Sequence, residues 1–282
     1  MTWNDQYQSL KQTLQHLYDE GEASAIARML VEHFGGRSFL ALAEDKPGAD
    51  VLQQLELALQ QLLKYRPLQY VLNEAWFYGL KFHVNESVLI PRPETEELVD
   101  WIIKDVQSNK QVNTLRILDI GTGSGCVPIS IRKHIAATVT AIDLSATALQ
   151  TAKANATFNQ TPVEFLQMDF LDESTWNQLG EFDIIISNPP YIKQSEEGQM
   201  HKNVVEHEPH LALFVPDNDA LIFYRKILLF AQTHLAENGA VYVEINQQLG
   251  TETAVLFTEN GFTVELKKDM SGNERMVKGS RS

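Results

Sequence analysis

Phe182-Asp183-Ile184-Ile185-Ile186-Ser187-Asn188-Pro189-Pro190-Tyr191 is the stretch whose reading decides the fold class. Its first six residues are short, apolar and β-branched, and two prolines stop them abruptly. That is the pattern of a strand buried on both faces of a parallel sheet. In open α/β sheets chemistry sits just beyond the carboxyl ends of the strands. Pro189 and Pro190 fix φ twice and remove two backbone donors. What remains is a stiff loop of acceptors, the Asn188 amide oxygen and backbone carbonyls, beside the flat ring of Tyr191. Such a loop suits a planar group bearing an NH2, which needs acceptors for its two hydrogens and a surface to pack on. An ordinary Pro-Pro turn with a packed tyrosine is the competing reading, and the rest of the chain decides between them.

Downstream and upstream of this strand the pattern alternates. Strands are expected at residues 115–120, 138–143, 163–167, 182–187, 240–245, 262–267 and 275–278. Helical stretches are expected at 127–134, 146–158, 220–237 and 248–260. The alternation implies an α/β fold with a doubly wound, mostly parallel sheet. No helical pattern separates the last two strands, which fits an antiparallel hairpin closing one edge.

The first 66 residues read as a small helical bundle. Tyr7, Leu10, Leu14 and Leu17 share one helical face, and Ala23, Ile26, Ala27, Leu30 and Phe34 another, ended by Gly35-Gly36. Residues 38–44 suggest a short helix, and Leu52, Leu55, Leu59 and Leu62 mark a fourth that ends before Pro67. These stripes read as core; a cap that grips a substrate is the expected role of the whole. Residues 76–84 then read as a β-hairpin with Gly79 near its turn. In Leu89-Ile90-Pro91-Arg92-Pro93-Glu94-Thr95-Glu96, Pro93 suits the first turn of a helix and the glutamates its positive end. Arg92, locked between two prolines, is a candidate for lining a site.

Asp119-Ile120-Gly121-Thr122-Gly123-Ser124-Gly125 follows the first strand of the sheet and opens a helix, so its glycines let the backbone approach a ligand closely. Asp143 ends the next strand, where an acid accepts both hydroxyls of a ribose. The spacing is G-x-G-x-G, unlike that of dinucleotide sites. Asp119 would sit badly beside a pyrophosphate but well beside the sulfonium and ammonium of S-adenosylmethionine. Asp169 and Phe170, after the third strand, are placed for an adenine amino group and ring face; a turn acid and a core aromatic are the plainer reading of the same pair.

Composition narrows the partner. The chain has 282 residues, is 44% hydrophobic and 21% charged, and carries a formal charge of −14. Both residues 1–70, with six basic and nine acidic side chains, and the remainder are acidic. This disfavours a nucleic acid backbone as substrate and favours a protein or small molecule. One cysteine, Cys126, excludes an intrachain disulfide and a CxxC metal site. The eight histidines show no ligand spacing, with His201, His207 and His210 in an expected loop, so no metal is expected. No signal peptide or membrane span is read, and a cytoplasmic location is expected.

Together these residues resemble the HemK/PrmC family, S-adenosylmethionine-dependent methyltransferases that modify the glutamine of the Gly-Gly-Gln loop of peptide chain release factors. The resemblance rests on Pro67-Leu68-Gln69-Tyr70, the 77–84 hairpin, Leu89 to Glu96, Asp119 to Gly125, Asp143 and Asn188 to Tyr191. It rests too on Glu208-Pro209, Ala212-Leu213, Tyr224, Glu244-Ile245 and Asp269 to Arg275. It implies a class I methyltransferase fold with a seven-stranded sheet. It divides the chain into a substrate-recognition domain at 1–66, a hairpin linker at 67–93 and a catalytic domain at 94–282. The implied donor site is Asp119, Gly121, Thr122, Gly123, Gly125, Asp143, Leu144, Asp169, Phe170 and Asn188. Asn188, Pro189 and Tyr191 form the implied catalytic set, and Pro190, Arg92 and Glu94 join them in binding the substrate. The implied partner is a release factor, with no stable nucleic acid complex and a monomeric enzyme. Asn73 and Asn246 stand where the family is expected to have glycine, and residues 215–219 replace a more glycine-rich turn. Asn-Pro-Pro-Tyr is shared with enzymes that methylate amino groups of bases. Methylation of a base, methylation of a ribosomal-protein glutamine and a non-catalytic donor-binding module therefore remain as alternatives.

Overall fold

A computed structural model describes residues 1–108 and 114–281, which fall into two compact units. The first comprises Met1–Asn73 and His201–His207. It contains α1 (Trp3–Leu14), α2 (Glu20–Gly35), α3 (Phe39–Leu42), α4 (Ala49–Leu62) and α5 (Leu68–Leu72). Thr2 and Asp5 form a capping box on α1, and Asp19 caps α2 by accepting from Glu22 N–H, which satisfies helix donors that have no intrahelical partner. Gly36 closes α2 in the left-handed region, as the Gly35-Gly36 reading requires. The expected stripes meet in one core of Leu10, Leu14, Ala27, Leu30, Leu55 and Leu62 among others. Residues 67–73, read from sequence as the start of the linker, belong to this unit and carry α5. Asn73 ends α5 with φ 53°. That left-handed position suits glycine best and asparagine next, which explains why an asparagine is accommodated there.

The second unit comprises Glu74–Met200 and Glu208–Ser282. It opens with a hairpin of β1 (Glu74–Phe77) and β2 (Leu80–His83), joined by Tyr78 and Gly79, both with positive φ, a turn whose twist matches that of paired strands. Helix α6 (Pro93–Ser108) follows, starting at the proline that marked it in the sequence. Next come β3 (Leu115–Ile120), α7 (Cys126–His134), β4 (Ala137–Asp143), α8 (Ala146–Phe158), β5 (Glu164–Gln167) and β6 (Phe182–Ser187). Only a single 3-10 stretch, Glu173–Gln178, separates β5 from β6. Short strands β7 (Ile192–Lys193) and β8 (Phe214–Val215) pair with each other. Between them, within the first unit's His201–His207 segment, lies α9 (Lys202–Val205), where a loop was expected. The unit ends with α10 (Ile222–His234), β9 (Leu235–Glu244), α11 (Gly250–Glu259), β10 (Thr263–Lys268) and β11 (Glu274–Ser280).

Seven strands form one sheet in the order β10-β11-β9-β6-β3-β4-β5. β9, β6, β3, β4 and β5 run parallel, while β11 is antiparallel to both β9 and β10, as the missing helix implied. Alternate residues of the apolar strands supply two cores. Ile185 packs on one face with Tyr224 and Leu228 of α10, and Ile184 and Ile186 pack on the other with α6 and α7. That period of two is why β6 reads as continuously hydrophobic. The strand order reverses at β3, whose neighbours are β4 and β6. A crevice opens at the carboxyl ends of strands at such a reversal. The glycine-rich loop and the Asn188 loop leave from its two sides. Among the described residues no helix is long and apolar enough to cross a membrane.

Candidate active site

A cleft of about 250 Å³ occupies that crevice. Its floor is Ile120, Gly121, Gly123 and Asp143, one wall is Met168, Asp169 and Phe170, and the far end is Ser187, Asn188, Pro189 and Pro190. Ser87, Val88 and Leu89 cover it from the segment after the hairpin, and Pro209, Leu211, Ala212 and Phe223 complete the rim. The strands place these residues because β3, β4 and β6 end in register; Ser187 Oγ donates to Ile120 O at 2.8 Å and ties the two loop origins together.

Gly121 and Gly123 have φ of 75° and 53°, and a Cβ on either would meet nothing within 4 Å. Their backbones therefore face open space, leaving room for a ligand to lie against the chain. Gly125 has another use: a Cβ there would lie 3.1 Å from Ala152 Cβ and from Ile129 Cδ1, so it lets α7 pack closely on α8. Asp143 is held from behind. Its Oδ2 accepts from Gly123 N–H at 2.8 Å and its Oδ1 from Ser145 N–H at 2.9 Å. A carboxylate has capacity for further donors, so it can still take ribose hydroxyls. Burial raises its pKa against these backbone bonds.

Asp119 and Thr122 do not line the cleft; both are buried beneath the loop. Among the described residues Asp119 Oδ2, Thr122 Oγ1 and Ser124 Oγ are buried with no hydrogen-bond partner. Burial pushes the Asp119 carboxyl up to about 7. A site with an unpaired buried acid below it favours a cation above it, which is the fit expected for S-adenosylmethionine. Leu144 and Asp169 line the cleft, and Asp169 Oδ1 accepts from Leu171 N–H at 2.9 Å. The Phe170 ring is only 5% exposed and stacks on Trp176 with centroids 5.4 Å apart. It contributes to the wall, but one of its faces belongs to the core.

At the other end, Asn188 Nδ2 donates to Thr95 Oγ1 at 3.0 Å, and Thr95 Oγ1 donates to Glu244 Oε2 at 2.6 Å. Tyr191 OH donates to Glu244 Oε1 at 3.1 Å. Burial raises the pKa of Glu244, opposed by the bonds from Thr95 and Tyr191 and by nearby Arg275. Tyr191 was expected to offer its ring to the bound group. Instead it does not line the cleft: its ring packs against the sheet core, and burial and Glu244 raise its pKa. Asn246, which stands where the family is expected to have glycine, reaches the Asn188 loop: its Nδ2 donates to Tyr191 O at 3.3 Å and its Oδ1 accepts from Gln248 N–H at 2.9 Å.

Arg92 and Glu94 do not line the cleft either. The Arg92 guanidinium pairs with Glu208 at 2.6 Å, and the Glu208 side chain, 1% exposed, also accepts from Ile90 N–H at 3.2 Å. Glu208 thus joins the cover at 87–90 to the rim at 209–212. The sequence had marked Glu208 without a role. Nothing had marked Asn155. It is fully buried in α8, exchanges two hydrogen bonds with the His83 backbone, and donates to Ser124 O at 2.9 Å. It fastens the hairpin and the glycine loop to one helix.

The Methyltransferase small domain family matches residues 100–211, the part that carries the glycine loop, Asp143 and the Asn188 loop. A methyltransferase structure from Pyrococcus furiosus covers 83% of this chain and is itself covered over its whole length, with TM-score 0.52 and 18% identity. At that identity the likeness speaks for the fold. Relatives extend it over the whole chain. A release factor glutamine methyltransferase of Bacteroides thetaiotaomicron is 38% identical over 96% of this chain and 98% of its own. One of Flavobacterium psychrophilum is 48% identical over 95% of each. Matches of that strength, spanning the helical unit as well as the sheet and its cleft, mean that the chain belongs to the release factor glutamine methyltransferase family.

Proposed function

We propose that the chain methylates the side-chain amide nitrogen, N5, of the glutamine in the Gly-Gly-Gln motif of peptide chain release factors. The observation that carries this reading is the placement of Asn188. It lines the cleft, and its NH2 is already engaged by Thr95, which leaves its oxygen to serve an acceptor. Gly121, Gly123, Asp143, Leu144, Asp169 and Phe170 would hold the donor, with Asp119 and Thr122 beneath the loop and Gly125 setting the helix behind it. S-adenosylmethionine, when bound, supplies an electrophilic methyl group on a sulfonium.

The acceptor is a poor nucleophile because its nitrogen lone pair is delocalised into the carbonyl. Asn188 Oδ1 and the Pro189 carbonyl each accept one of its two hydrogens, which fixes the plane of the amide and raises electron density at nitrogen. Pro190 stiffens the loop, and Tyr191 braces it through Glu244. Positioning of this kind contributes several kcal/mol without covalent catalysis. The loop holds no strong base and needs none, since the methylated nitrogen sheds its proton readily. Arg92 and Glu94 act on the substrate through the covering segment. The helical unit, which runs to Asn73, grips the protein substrate, and the unit that carries the sheet is the catalytic part. A monomer in the cytoplasm fits this role, and the charge of −14 suits a protein acceptor better than a nucleic acid.

The test offers purified protein and labelled donor to release factor, ribosomal protein and nucleic acid separately. Label on the release factor glutamine is the expected result; label on another acceptor alone refutes it. Asn188→Ala is expected to abolish transfer while donor affinity, measured by calorimetry, stays near that of the parent.

A further inference from the structure

We propose that Thr95 and Glu244 are positioning residues that set the polarity of the Asn188 amide, so that its oxygen and not its nitrogen faces the acceptor. The inference rests on the glutamine-methylating reading of the cleft and deepens it.

The argument is a matter of counting protons. Glu244 closes β9 and is 1% exposed. As an ion it only accepts hydrogen bonds. Burial is the largest influence and raises its pKa, and Glu94 adds to this; the bonds from Thr95 and Tyr191 and the charge of Arg275 favour the ionised form, for which the count below is made. A threonine hydroxyl has one proton, and that of Thr95 is spent on Glu244 Oε2 at 2.6 Å. Thr95 Oγ1 then has only lone pairs to offer Asn188. The contact at 3.0 Å must be made by the Asn188 NH2, and Oδ1 must point the other way. The two ends of an asparagine amide are nearly identical in shape, so packing alone does not choose between them. The wrong choice would set N–H donors against the NH2 of the acceptor, donor facing donor. The same carboxylate accepts from Tyr191 OH through its other oxygen. One buried acid therefore fixes both ends of Asn188-Pro189-Pro190-Tyr191.

Thr95 is the third residue of α6, and its backbone N–H donates to Arg92 O at 3.1 Å. The Pro-Arg-Pro-Glu-Thr stretch thus starts a helix where the Thr95 hydroxyl reaches both the end of β9 and the Asn188 loop. Thr95 is 3% exposed and does not line the cleft, so it acts through Asn188.

The test compares the parent with Thr95→Val, which keeps the shape but has no oxygen, with Thr95→Ser, which restores the hydroxyl, and with Glu244→Leu. The first readout is the side-chain amide resonance of Asn188 in selectively 15N-labelled, donor-free protein. The second is kcat and KM for transfer to release factor at saturating donor, with donor affinity by calorimetry. Thr95→Val is expected to shift the Asn188 resonance and to lower kcat on the order of 10- to 100-fold, with donor affinity unchanged. Thr95→Ser is expected to restore both. Parental kcat in Thr95→Val, or failure of serine to rescue, overturns the proposal, since the loss would then be one of packing. If Thr95→Val does not fold, Glu244→Leu, which offers Thr95 no acceptor at all, decides: an unshifted Asn188 resonance with parental kcat refutes the relay, and a shifted resonance with reduced kcat supports it. Should the parent fail to methylate release factor, the functional reading falls, and the resonance comparison still tests the relay alone.

Discussion

Replacing Asp119 by asparagine is expected to stabilise the donor-free protein above neutral pH while weakening its hold on the donor. Asp119, the last residue but one of β3, is 2% exposed, and its Oδ2 finds no partner among the described residues. Burial raises its pKa from 3.8 to about 7, and the charge of Asp143 adds to the effect. At 1.36 kcal/mol per pH decade, keeping this carboxylate ionised costs the fold about 4 kcal/mol. The sign follows from proton counting. Between the two pKa values the folded protein binds the proton and the unfolded chain does not, so stability falls as pH rises through that window and levels off above it. Asparagine does not titrate. The advantage of Asp119→Asn over the parent should therefore grow by roughly 2 to 3 kcal/mol between about pH 5 and about pH 8. Urea unfolding of both proteins at the two pH values, without donor, measures this. A cationic donor favours the ionised acid, so donor affinity of the parent should rise over the same window, and that rise should vanish in the variant. A stability difference that does not change with pH, or a variant less stable than the parent at about pH 8, refutes the reasoning.

Asp143→Ala removes the acceptor at the end of β4, and calorimetry should show donor affinity lowered on the order of 10- to 100-fold; unaltered affinity would remove its ribose role. Gly279→Ala in β11 would bring a Cβ to 2.5 Å from Phe257 Cδ1 and 3.2 Å from Phe262 Cδ1. Such overpacking should cost about 1 to 3 kcal/mol in urea unfolding, and an unchanged midpoint would show that Phe257 yields freely. Asn246→Gly loses the bonds to Tyr191 O and Gln248 N–H. The loosened loop should lower kcat roughly fivefold, the effect of about 1 kcal/mol, with donor affinity retained; equal kcat would show that Tyr191 is held without it.

What could be read from the sequence was what repeats or stops within a few residues. β6 was legible because both of its faces are buried, and α6 because Pro93 can only begin a helix there. The final hairpin was legible from a missing helix. Gly121, Gly123 and Asp143 were legible because a loop between strand and helix brings them together by local geometry, and Asp143 does bond Gly123. The misplacements have local causes too. Residues 67–73 carry too short an apolar pattern to declare a helix of five residues, and α9 is shorter still. Arg92 drew attention as a charged side chain between prolines, but its charge is spent on Glu208.

The pairings that sequence reasoning missed share a different property. Asn155 meets His83 across 72 positions, Ile90 meets Glu208 across 118, and Thr95 meets Glu244 across 149. No spacing rule reaches that far, and Asn155, Glu208, Thr95 and Glu244 each look alone like surface polar residues. Burial is what gives them meaning: a buried polar group without a partner is costly, so each must be matched across the fold. Asn-Pro-Pro-Tyr declared that acceptors were presented, because prolines remove donors wherever they occur. Whether Asn188 presents oxygen or nitrogen is not a property of the tetrapeptide. It is decided by one proton on Thr95, and the direction of that proton is decided by a carboxylate at the end of another strand.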